Sequence, residues 1–192
     1  MFEARRNWVK RCGWVKLSDP LYVEYHDKEW GKPLHGEREL FELLSLECQQ
    51  AGLSWLTVLH KREAYREAFG NFDISFCAAL REEEIEKILQ EKNVIKNRAK
   101  LLAIRDNAKA ALEVIKEFGS LDFYFWNRVD HHPLLHSIPH YKEAPCRNEL
   151  SDNLAKEMKK RGFKFIGSVT LYSFLQAAGI INDHEDDCDF KS

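Results

Sequence analysis

The sequence of 192 residues has no long apolar run, no repeated segment and almost no net charge. No apolar stretch approaches the ~18 residues that a membrane span needs, so no membrane association is expected. We find no internal repeat, low-complexity tract or Ser/Gly linker, and the composition is that of a globular chain rather than a disordered one. The 29 basic and 31 acidic residues exclude a globally basic nucleic-acid coat protein, but they leave a local basic face open.

Cysteine is sparse, and the count of five is odd. The N-terminal residues carry positive charge but no apolar h-region, so no signal peptide is expected. Dispersed cysteines without such a leader are typical of a reducing cytoplasm rather than of a disulfide framework. We therefore expect a cytoplasmic protein.

Apolar residues make up 44% of the chain and aromatic residues 12%, which is enough for one packed core. Apolar positions recur at helical spacing, whereas strand signals are weak. We expect an all-α domain of about eight helices, with residues 1–36 irregular and residues 131–148 in a surface loop. The predicted helices cover residues 37–52, 55–69, 73–80, 81–91, 97–118, 121–129, 151–161 and 168–178.

Glu47 is the most informative single residue, because it falls in the apolar stripe of the first long helix. It shares that face with Leu40, Leu43 and Leu44. A buried carboxylate without a partner costs several kcal/mol, so this glutamate needs a partner or a function. The alternative is a glutamate at the edge of the stripe that reaches solvent or caps a neighbouring helix.

Aromatic residues surround Glu47 in the sequence and favour a ligand pocket. Tyr22, Tyr25 and Trp30 lie upstream, and Trp55 opens the next helix. Flat rings with one carboxylate can bind a planar, cationic, hydrogen-bonding ligand, because the rings stack on it and the carboxylate accepts its protons. Core filling is the alternative for each ring.

Two cysteines and two histidines near the chain ends form a candidate metal site: Cys12, His26, His184 and Cys188. Two thiolates and two imidazoles are a tetrahedral set that zinc prefers, and four protein ligands leave no position for a reactive water. Such an ion is structural and joins the two ends of the chain. Unrelated cysteines and histidines are the alternative, since the two pairs are far apart in the sequence.

Basic residues flank two predicted turns. Lys96 and Arg98 follow the turn before the long helix 97–118, and Lys164 and Ser168 precede or begin the last helix. The N–H groups of a turn that enters a helix can hold a phosphate, and nearby cations add to this. A solvated charged face is the more ordinary interpretation.

Several ordered motifs resemble the DNA-3-methyladenine glycosylase I family, a mostly helical group similar in fold to the helix-hairpin-helix glycosylases. These motifs are RCGW, DPLYVEYHDKEWG, FELLSLECQQAGLSWLTVL, KRGFKFIGSVTLYSFLQAAG and NDH with a later cysteine. The resemblance runs from Arg11 almost to the end, which predicts a single domain over residues 11–190 and a flexible extension over residues 1–10.

The resemblance implies a role for each matching residue. The implied activity is hydrolysis of the N-glycosidic bond of 3-methyladenine in alkylated double-stranded DNA, by base flipping and without strand cleavage. Glu47 is the expected catalytic residue, and one structural Zn²⁺ per monomeric chain is expected on Cys12, His26, His184 and Cys188. The implied base-binding residues are Trp14, Tyr25, Trp30, Glu47 and Trp55. The expected DNA-binding residues are Gln50, Gly52, Leu53, Lys96, Arg98, Lys164 and Ser168.

Two other functions remain open at this point. A zinc-stapled helical module that binds DNA without chemistry fits the closed metal site and the basic turns, but it leaves the buried glutamate without a task. A metallohydrolase fits less well, because four protein ligands leave no open coordination position.

Overall fold

The computed structural model describes residues 9–191, and this part of the chain is mostly helical. It contains ten α-helices, three short 3-10 helices and one pair of two-residue parallel strands. The helices are α1 Pro20–Lys28, α2 Glu37–Gln50, α3 Trp55–Leu59, α4 Arg62–Ala68, α5 Ile74–Ala79, α6 Glu82–Glu91, α7 Arg98–Phe118, α8 Leu121–Trp126, α9 Glu149–Lys160 and α10 Ser168–Ala177. The 3-10 helices are Gly70–Phe72, Asn127–Val129 and Tyr141–Glu143, and the strands are β1 Leu134–Leu135 and β2 Ile181–Asn182.

The long helix α7 organises the core. Asn97 caps its first turn by accepting a hydrogen bond from the Lys100 backbone N–H at 3.2 Å, and Gly119 ends it with a positive φ of 89°. Leu101, Ile104 and Ala108 are fully buried at helical spacing. Helices α2, α5, α6 and α8 pack around this helix, so α7 supports most of the other elements.

Helix α2 is buried on nearly every side, because α3, α7, α8 and α10 surround it. Two of its glutamates are therefore buried. Arg62 and Arg66 offset the charge of Glu42, with nitrogen–oxygen distances of 2.5 and 2.8 Å. Glu47 lies one and a half turns further along and has no such cation beside it among residues 9–191.

The prediction that residues 1–36 are irregular is wrong, because this segment contains α1. Asp19 accepts a hydrogen bond from the Tyr22 backbone N–H at 3.2 Å, and Pro20 occupies the first helical position, where its missing N–H has no cost. The helix is short and has little apolar periodicity, because its rings line a cavity instead of the core.

Two predicted helix boundaries also differ from the structure. The helix predicted over residues 55–69 is interrupted at residues 60–61, so that α3 and α4 are separate. Helix α9 begins before the predicted cap Ser151, because Asn148 is the capping residue and accepts from the Ser151 backbone N–H at 2.9 Å. The segment 131–148, predicted to be a loop, contains strand β1, which pairs with β2 through two residues of each strand.

The two ends of the described chain lie together. The Lys10 N–H donates to the Asp189 carboxylate at 2.7 Å, and the Asp189 N–H donates to the Lys10 carbonyl at 2.9 Å. Most of the predicted extension, residues 1–8, lies outside the described residues, so the domain limits remain a prediction. Among the helices of residues 9–191, none is both long and apolar enough to cross a membrane.

Candidate active site

A cavity of about 300 Å³ lies where α1, α2, α3 and α10 meet. Its aromatic wall contains all five of the rings that the sequence indicates. The rings are Trp14, Tyr22, Tyr25, Trp30 and Trp55. The ring centroids of Trp14 and Trp30 are 5.0 Å apart, and those of Tyr25 and Trp55 are 5.3 Å apart. These flat ring surfaces can stack on a planar heterocycle bound in the cavity.

Glu47 lines the same cavity from α2. It is only 4% exposed, and its Oε2 atom has no hydrogen-bond partner among residues 9–191. Burial raises the pKa of this carboxyl from 4.5 to about 8. Near neutral pH the carboxyl group therefore holds its proton for much of the time in the free protein.

Trp55 supplies a second polar atom without a partner. Its indole Nε1 is buried and has no acceptor within the described chain. An unpartnered acceptor on Glu47 and an unpartnered donor on Trp55 in one cavity suit a ligand that carries both kinds of group. The edge of a purine base has this property.

Another wall of the cavity is not predicted by the sequence. It contains Tyr172 and Gln176 of α10 and Asp183, which follows β2. Asp183 Oδ2 accepts from the Tyr172 hydroxyl at 2.8 Å and from Gln176 Nε2 at 2.7 Å, and Asp183 Oδ1 lies 2.7 Å from His136 Nδ1. The spacing of Tyr172 and Gln176, four residues apart on one helix, was the available signal for this wall.

The two carboxylates of the cavity have opposite environments. Asp183 has hydrogen-bond partners on both oxygens, whereas Glu47 has one oxygen without a partner in the described part of the chain. A carboxylate with both oxygens occupied has little capacity left for a ligand. Glu47 is therefore the carboxyl group that the cavity offers to a bound molecule.

The four predicted metal ligands form one buried cluster. The candidate ligand atoms of Cys12, His26, His184 and Cys188 all lie within 4.8 Å of one another. His184 Nδ1 is 3.3 Å from the Cys12 sulfur and 3.5 Å from the Cys188 sulfur, and His26 Nε2 is 3.6 Å from the Cys188 sulfur. This cluster could hold a metal ion.

Outer hydrogen bonds orient both imidazoles of the cluster. His26 Nδ1 lies 2.8 Å from the Asp27 carboxylate, and His184 Nε2 lies 3.1 Å from the Trp30 carbonyl, so in each ring the other nitrogen faces the cluster. Burial lowers the pKa of His184 to about 4, which keeps the ring neutral as a metal ligand must be. Position 31 next to this ring requires glycine, because a Cβ at Gly31 would lie 2.7 Å from His184 Nε2.

The metal-ligand cluster adjoins the aromatic cavity. The Trp30 ring lies 4.6 Å from the His184 ring and stacks on His26 at 6.3 Å between centroids. The Trp14 ring lies 5.2 Å from that of His26. Two rings of the cavity therefore rest on the two histidines, so the cluster supports the cavity as well as the chain ends.

The turn between α2 and α3, residues 51–54, lies at the mouth of the cavity. Gln50, Gly52 and Leu53 border a depression of about 180 Å³ that Glu47 also lines. Gly52 has a φ of 78°, a left-handed conformation that favours glycine, and the next residue, Leu53, is 40% exposed. A turn that holds an apolar side chain in solvent beside a cavity is suited to insertion between bases.

The cations predicted to contact DNA have mixed surroundings. Lys96 donates to the carbonyls of Leu89 and Lys92, and Arg98 pairs with Glu82 and Glu86. These two cations are exposed but already have partners within the protein, which reduces the positive charge that they present to a phosphate.

Lys164 and Ser168 belong to the segment that joins α9 to α10 and to the start of α10. Lys164 is exposed, and its backbone N–H donates to the buried Asn107 side chain at 2.7 Å. Ser168 is the first residue of α10, after Gly167. The backbone of this loop is fixed, and the Lys164 ammonium has no ion-pair partner within residues 9–191.

The chain is similar to known proteins over nearly its whole length. The family model described as "Methyladenine glycosylase" matches residues 14–192. The chain is 46% identical to DNA-3-methyladenine glycosylase 1 of Escherichia coli over 180 residues, which is 94% of this chain and 96% of that protein. It is also 46% identical to the DNA-3-methyladenine glycosylase of Haemophilus influenzae over 182 residues, which is 95% of this chain and 98% of that protein.

Solved structures match over nearly the whole chain. A crystal structure of 3-methyladenine DNA glycosylase I superposes with a TM-score of 0.92 at 46% identity, covering 95% of this chain and 100% of the other. The Staphylococcus aureus enzyme, studied for the structural basis of 3-methyladenine recognition, has a TM-score of 0.88 at 40% identity, covering 91% and 93% of the two chains.

Proposed function

The chain belongs to the methyladenine glycosylase family, and from this premise we propose how its cavity carries out the reaction. It is a DNA glycosylase that hydrolyses the N-glycosidic bond of 3-methyladenine and so begins base excision repair. A helical module that binds DNA without chemistry is therefore excluded. The mostly helical fold is a helix-hairpin-helix glycosylase fold in this proposal, with α6 and α7 as the hairpin.

Glu47 and the rings around it recognise the flipped base. The observation that supports this is a buried carboxyl group, with an oxygen that has no partner among residues 9–191, in a cavity that has five rings in its aromatic wall. Glu47 accepts hydrogen bonds from the donor groups of the purine edge. Tyr25, Trp30 and Trp55 hold the ring of the base, and Trp14 closes the edge of the cavity.

The charge of the lesion couples to the proton on Glu47. Methylation at N3 makes the base in DNA cationic, and a cation in the cavity favours the ionised carboxylate. Binding therefore releases the proton that burial holds on Glu47. A normal adenine is neutral and gains less from this cavity, yet its flipping still costs a few kcal/mol. The difference selects the methylated base.

The chemical step needs little help at the sugar, because the cationic base is already a good leaving group. The bond between the base nitrogen and C1′ breaks, its electron pair remains on the base, and water adds to C1′ and loses one proton to solvent. The product is free 3-methyladenine and an abasic site. We assign no lysine nucleophile, so the strand is not cleaved, and Glu47 is the one residue of this chain to which we give a catalytic role.

Zinc is the metal that best fits the Cys12, His26, His184 and Cys188 cluster. Ligands on a tetrahedral zinc ion, at about 2.3 Å for sulfur and about 2.0 Å for nitrogen, stand roughly 3.5 Å apart. Three of the four sulfur–nitrogen distances in the cluster are 3.3, 3.5 and 3.6 Å. A zinc ion with four protein ligands is structural, so it fixes the chain ends and the two tryptophans beside them.

The DNA in this proposal is a duplex that one chain binds as a monomer in the cytoplasm. Leu53, with Gln50 and Gly52, fills the gap that the flipped base leaves. The turn of residues 92–97 and the loop around Lys164 and Ser168 hold the backbone on either side. Because Lys96 and Arg98 have partners within the protein, the backbone N–H groups of the turn contribute more to phosphate binding than these two side chains do.

Release of the free base tests the assignment. Methylated duplex DNA is incubated with the wild-type protein, with Glu47→Gln and with Glu39→Gln, and released 3-methyladenine is measured by chromatography. Glu39 is a matched control, since it is a half-exposed glutamate two turns earlier on α2 that pairs with Arg38. We expect release by the wild type and the control, and loss of most release in Glu47→Gln. Unchanged release by Glu47→Gln would contradict the role of this residue.

A further inference from the structure

A buried lysine without an acidic partner lies directly under the turn that carries Leu53. Lys100, on the first turns of α7, is only 5% exposed, and no carboxylate within the described chain pairs with it. Its Nζ instead donates to the carbonyls of Gln49 and Ala51 at 2.8 and 2.6 Å. Burial lowers the pKa of this ammonium group, so its position is unfavourable by itself and its hydrogen bonds must offset the cost.

The two carbonyls belong to the end of α2, where helix carbonyls lack intrahelical partners. An ammonium group there satisfies both carbonyls and interacts favourably with the helix dipole. It also fixes the direction in which the chain leaves α2. That direction determines where Gly52 and Leu53 lie, so Lys100 positions the turn of residues 51–54 from below.

Further hydrogen bonds extend from Lys100 to the turn between α6 and α7. Gln49 Nε2 donates to the Lys100 carbonyl at 3.0 Å, and the Tyr65 hydroxyl donates to Gln49 Oε1 at 3.0 Å. The same hydroxyl accepts from the Ile95 N–H at 3.2 Å. Gln49 and Tyr65 are both fully buried. An unbroken buried network therefore joins residue 95 to residue 51.

We propose that Tyr65, Gln49 and Lys100 are positioning residues that hold the Leu53 turn in register with the α6–α7 turn. This inference rests on the proposed function, in which the first turn fills the gap in the duplex and the second holds its backbone. The network makes the two turns one rigid unit, so binding the backbone places Leu53 at the base pair to be opened. Fixing this geometry in advance removes an ordering cost from base flipping.

The network acts on flipping and not on the base cavity, and this distinction provides the test. Lys100→Met keeps an unbranched apolar chain of similar length but removes the ammonium group and its hydrogen bonds to Gln49 and Ala51. Lys109→Met is the matched control, because Lys109 lies on the exposed side of the same helix. Three quantities are measured for each variant: release of 3-methyladenine from methylated duplex, release from methylated single strands, and binding of free 3-methyladenine by tryptophan fluorescence.

We expect Lys100→Met to lose about ten-fold or more in release from duplex, equivalent to roughly 1.4 kcal/mol. Release from single strands falls much less, since an unpaired base flips at lower cost, and the affinity for the free base changes less than about two-fold. A purely structural role predicts instead that all three quantities fall together with thermal stability. That result, or wild-type release from duplex, would overturn the proposal.

Tyr65→Phe tests the same network by a milder change, because it removes one hydroxyl and keeps the ring. It serves if Lys100→Met proves too unstable to assay. We expect a smaller loss with the same preference for duplex, and a combined loss in Tyr65→Phe/Lys100→Met below the product of the two single losses. Full additivity would contradict a shared network. If the wild type releases no base at all, the proposed function fails, and this outcome is distinct from failure of the network.

Discussion

Replacing Glu47 by glutamine is expected to change protein stability in a strongly pH-dependent way. The folded protein keeps the Glu47 proton up to a pKa of about 8, whereas the unfolded chain releases it near 4.5. Between these two values the folded state binds more protons than the unfolded state, so its stability falls as the pH rises through this window. Glutamine has nearly the same shape and no proton to release.

The size of the effect follows from the width of that window. One pH unit corresponds to about 1.4 kcal/mol, so a window of roughly 3.5 pH units gives a ceiling of about 5 kcal/mol. Water that enters the cavity when Glu47 ionises reduces this figure. We therefore expect the advantage of Glu47→Gln over the wild type to grow by roughly 2–4 kcal/mol between pH 5 and pH 9. For a chain of this length that is roughly 5–15 °C in melting temperature.

Denaturant unfolding monitored by tryptophan fluorescence at several pH values measures this difference. All proteins are assayed with the same zinc supplement, so that the contribution of the Cys12 cluster cancels in each comparison. Glu39→Gln is the control. Its carboxyl has a lowered pKa, first through hydrogen bonding to its own backbone N–H, so it stays ionised in both states from pH 5 to pH 9 and its variant follows the wild type.

The result that would refute this reasoning is a stability difference that does not change with pH. It would mean that Glu47 is ionised in the folded protein at neutral pH and is therefore hydrated or paired. The same experiment bears on function. If Glu47→Gln is more stable but no longer releases the base, then Glu47 lowers the stability of the wild-type protein and is needed for its activity.

Three other changes test separate parts of the site. Cys188→Ser is expected to lose bound zinc in elemental analysis and to have a lower melting temperature. It should also bind free 3-methyladenine several-fold more weakly, because the Trp30 carbonyl is hydrogen-bonded to His184, one of the metal-ligand candidates. Retained zinc and unchanged stability would contradict the metal assignment. Leu53→Ala is expected to slow base release from duplex while the affinity for free base, measured by fluorescence, stays unchanged. Arg98→Ala is expected to cost less than about three-fold in release from duplex at moderate salt, because two glutamates already pair with this guanidinium; a loss above ten-fold would show that it contacts phosphate directly.

The sequence predicts those parts of the site that depend on local patterns. The position of Glu47 in an apolar stripe predicts its burial, and the structure confirms this. The assignment of residues 97–118 to one long helix is also confirmed, because the cap and the period of apolar residues agree. The four metal-ligand candidates come together as predicted.

Other parts depend on contacts between distant segments and could not be predicted from pattern. Asp183 enters the cavity because β2 pairs with β1, and two-residue strands carry almost no sequence signal. In the sequence, Lys100 is one of several basic residues at the start of a helix, and nothing there indicates burial. In the structure it is buried because the end of α2 covers it. Helix α1 was missed although Asp19 and Pro20 are ordinary start signals, because its apolar residues face a cavity and give no periodicity.

The most direct test of the central claim is a fluorescence titration with free bases. The claim is that the Glu47 carboxyl, within its five rings, recognises 3-methyladenine. Quenching of tryptophan fluorescence is measured with 3-methyladenine and with adenine, for the wild type and for Glu47→Gln. Free 3-methyladenine is uncharged but is a stronger base than adenine, so it can take the Glu47 proton on binding and form the same ion pair as the cationic lesion. We therefore predict saturable quenching of the wild type by 3-methyladenine, much weaker quenching by adenine, and loss of that preference in Glu47→Gln. Equal quenching by the two bases, or an unchanged preference in the variant, would contradict the account.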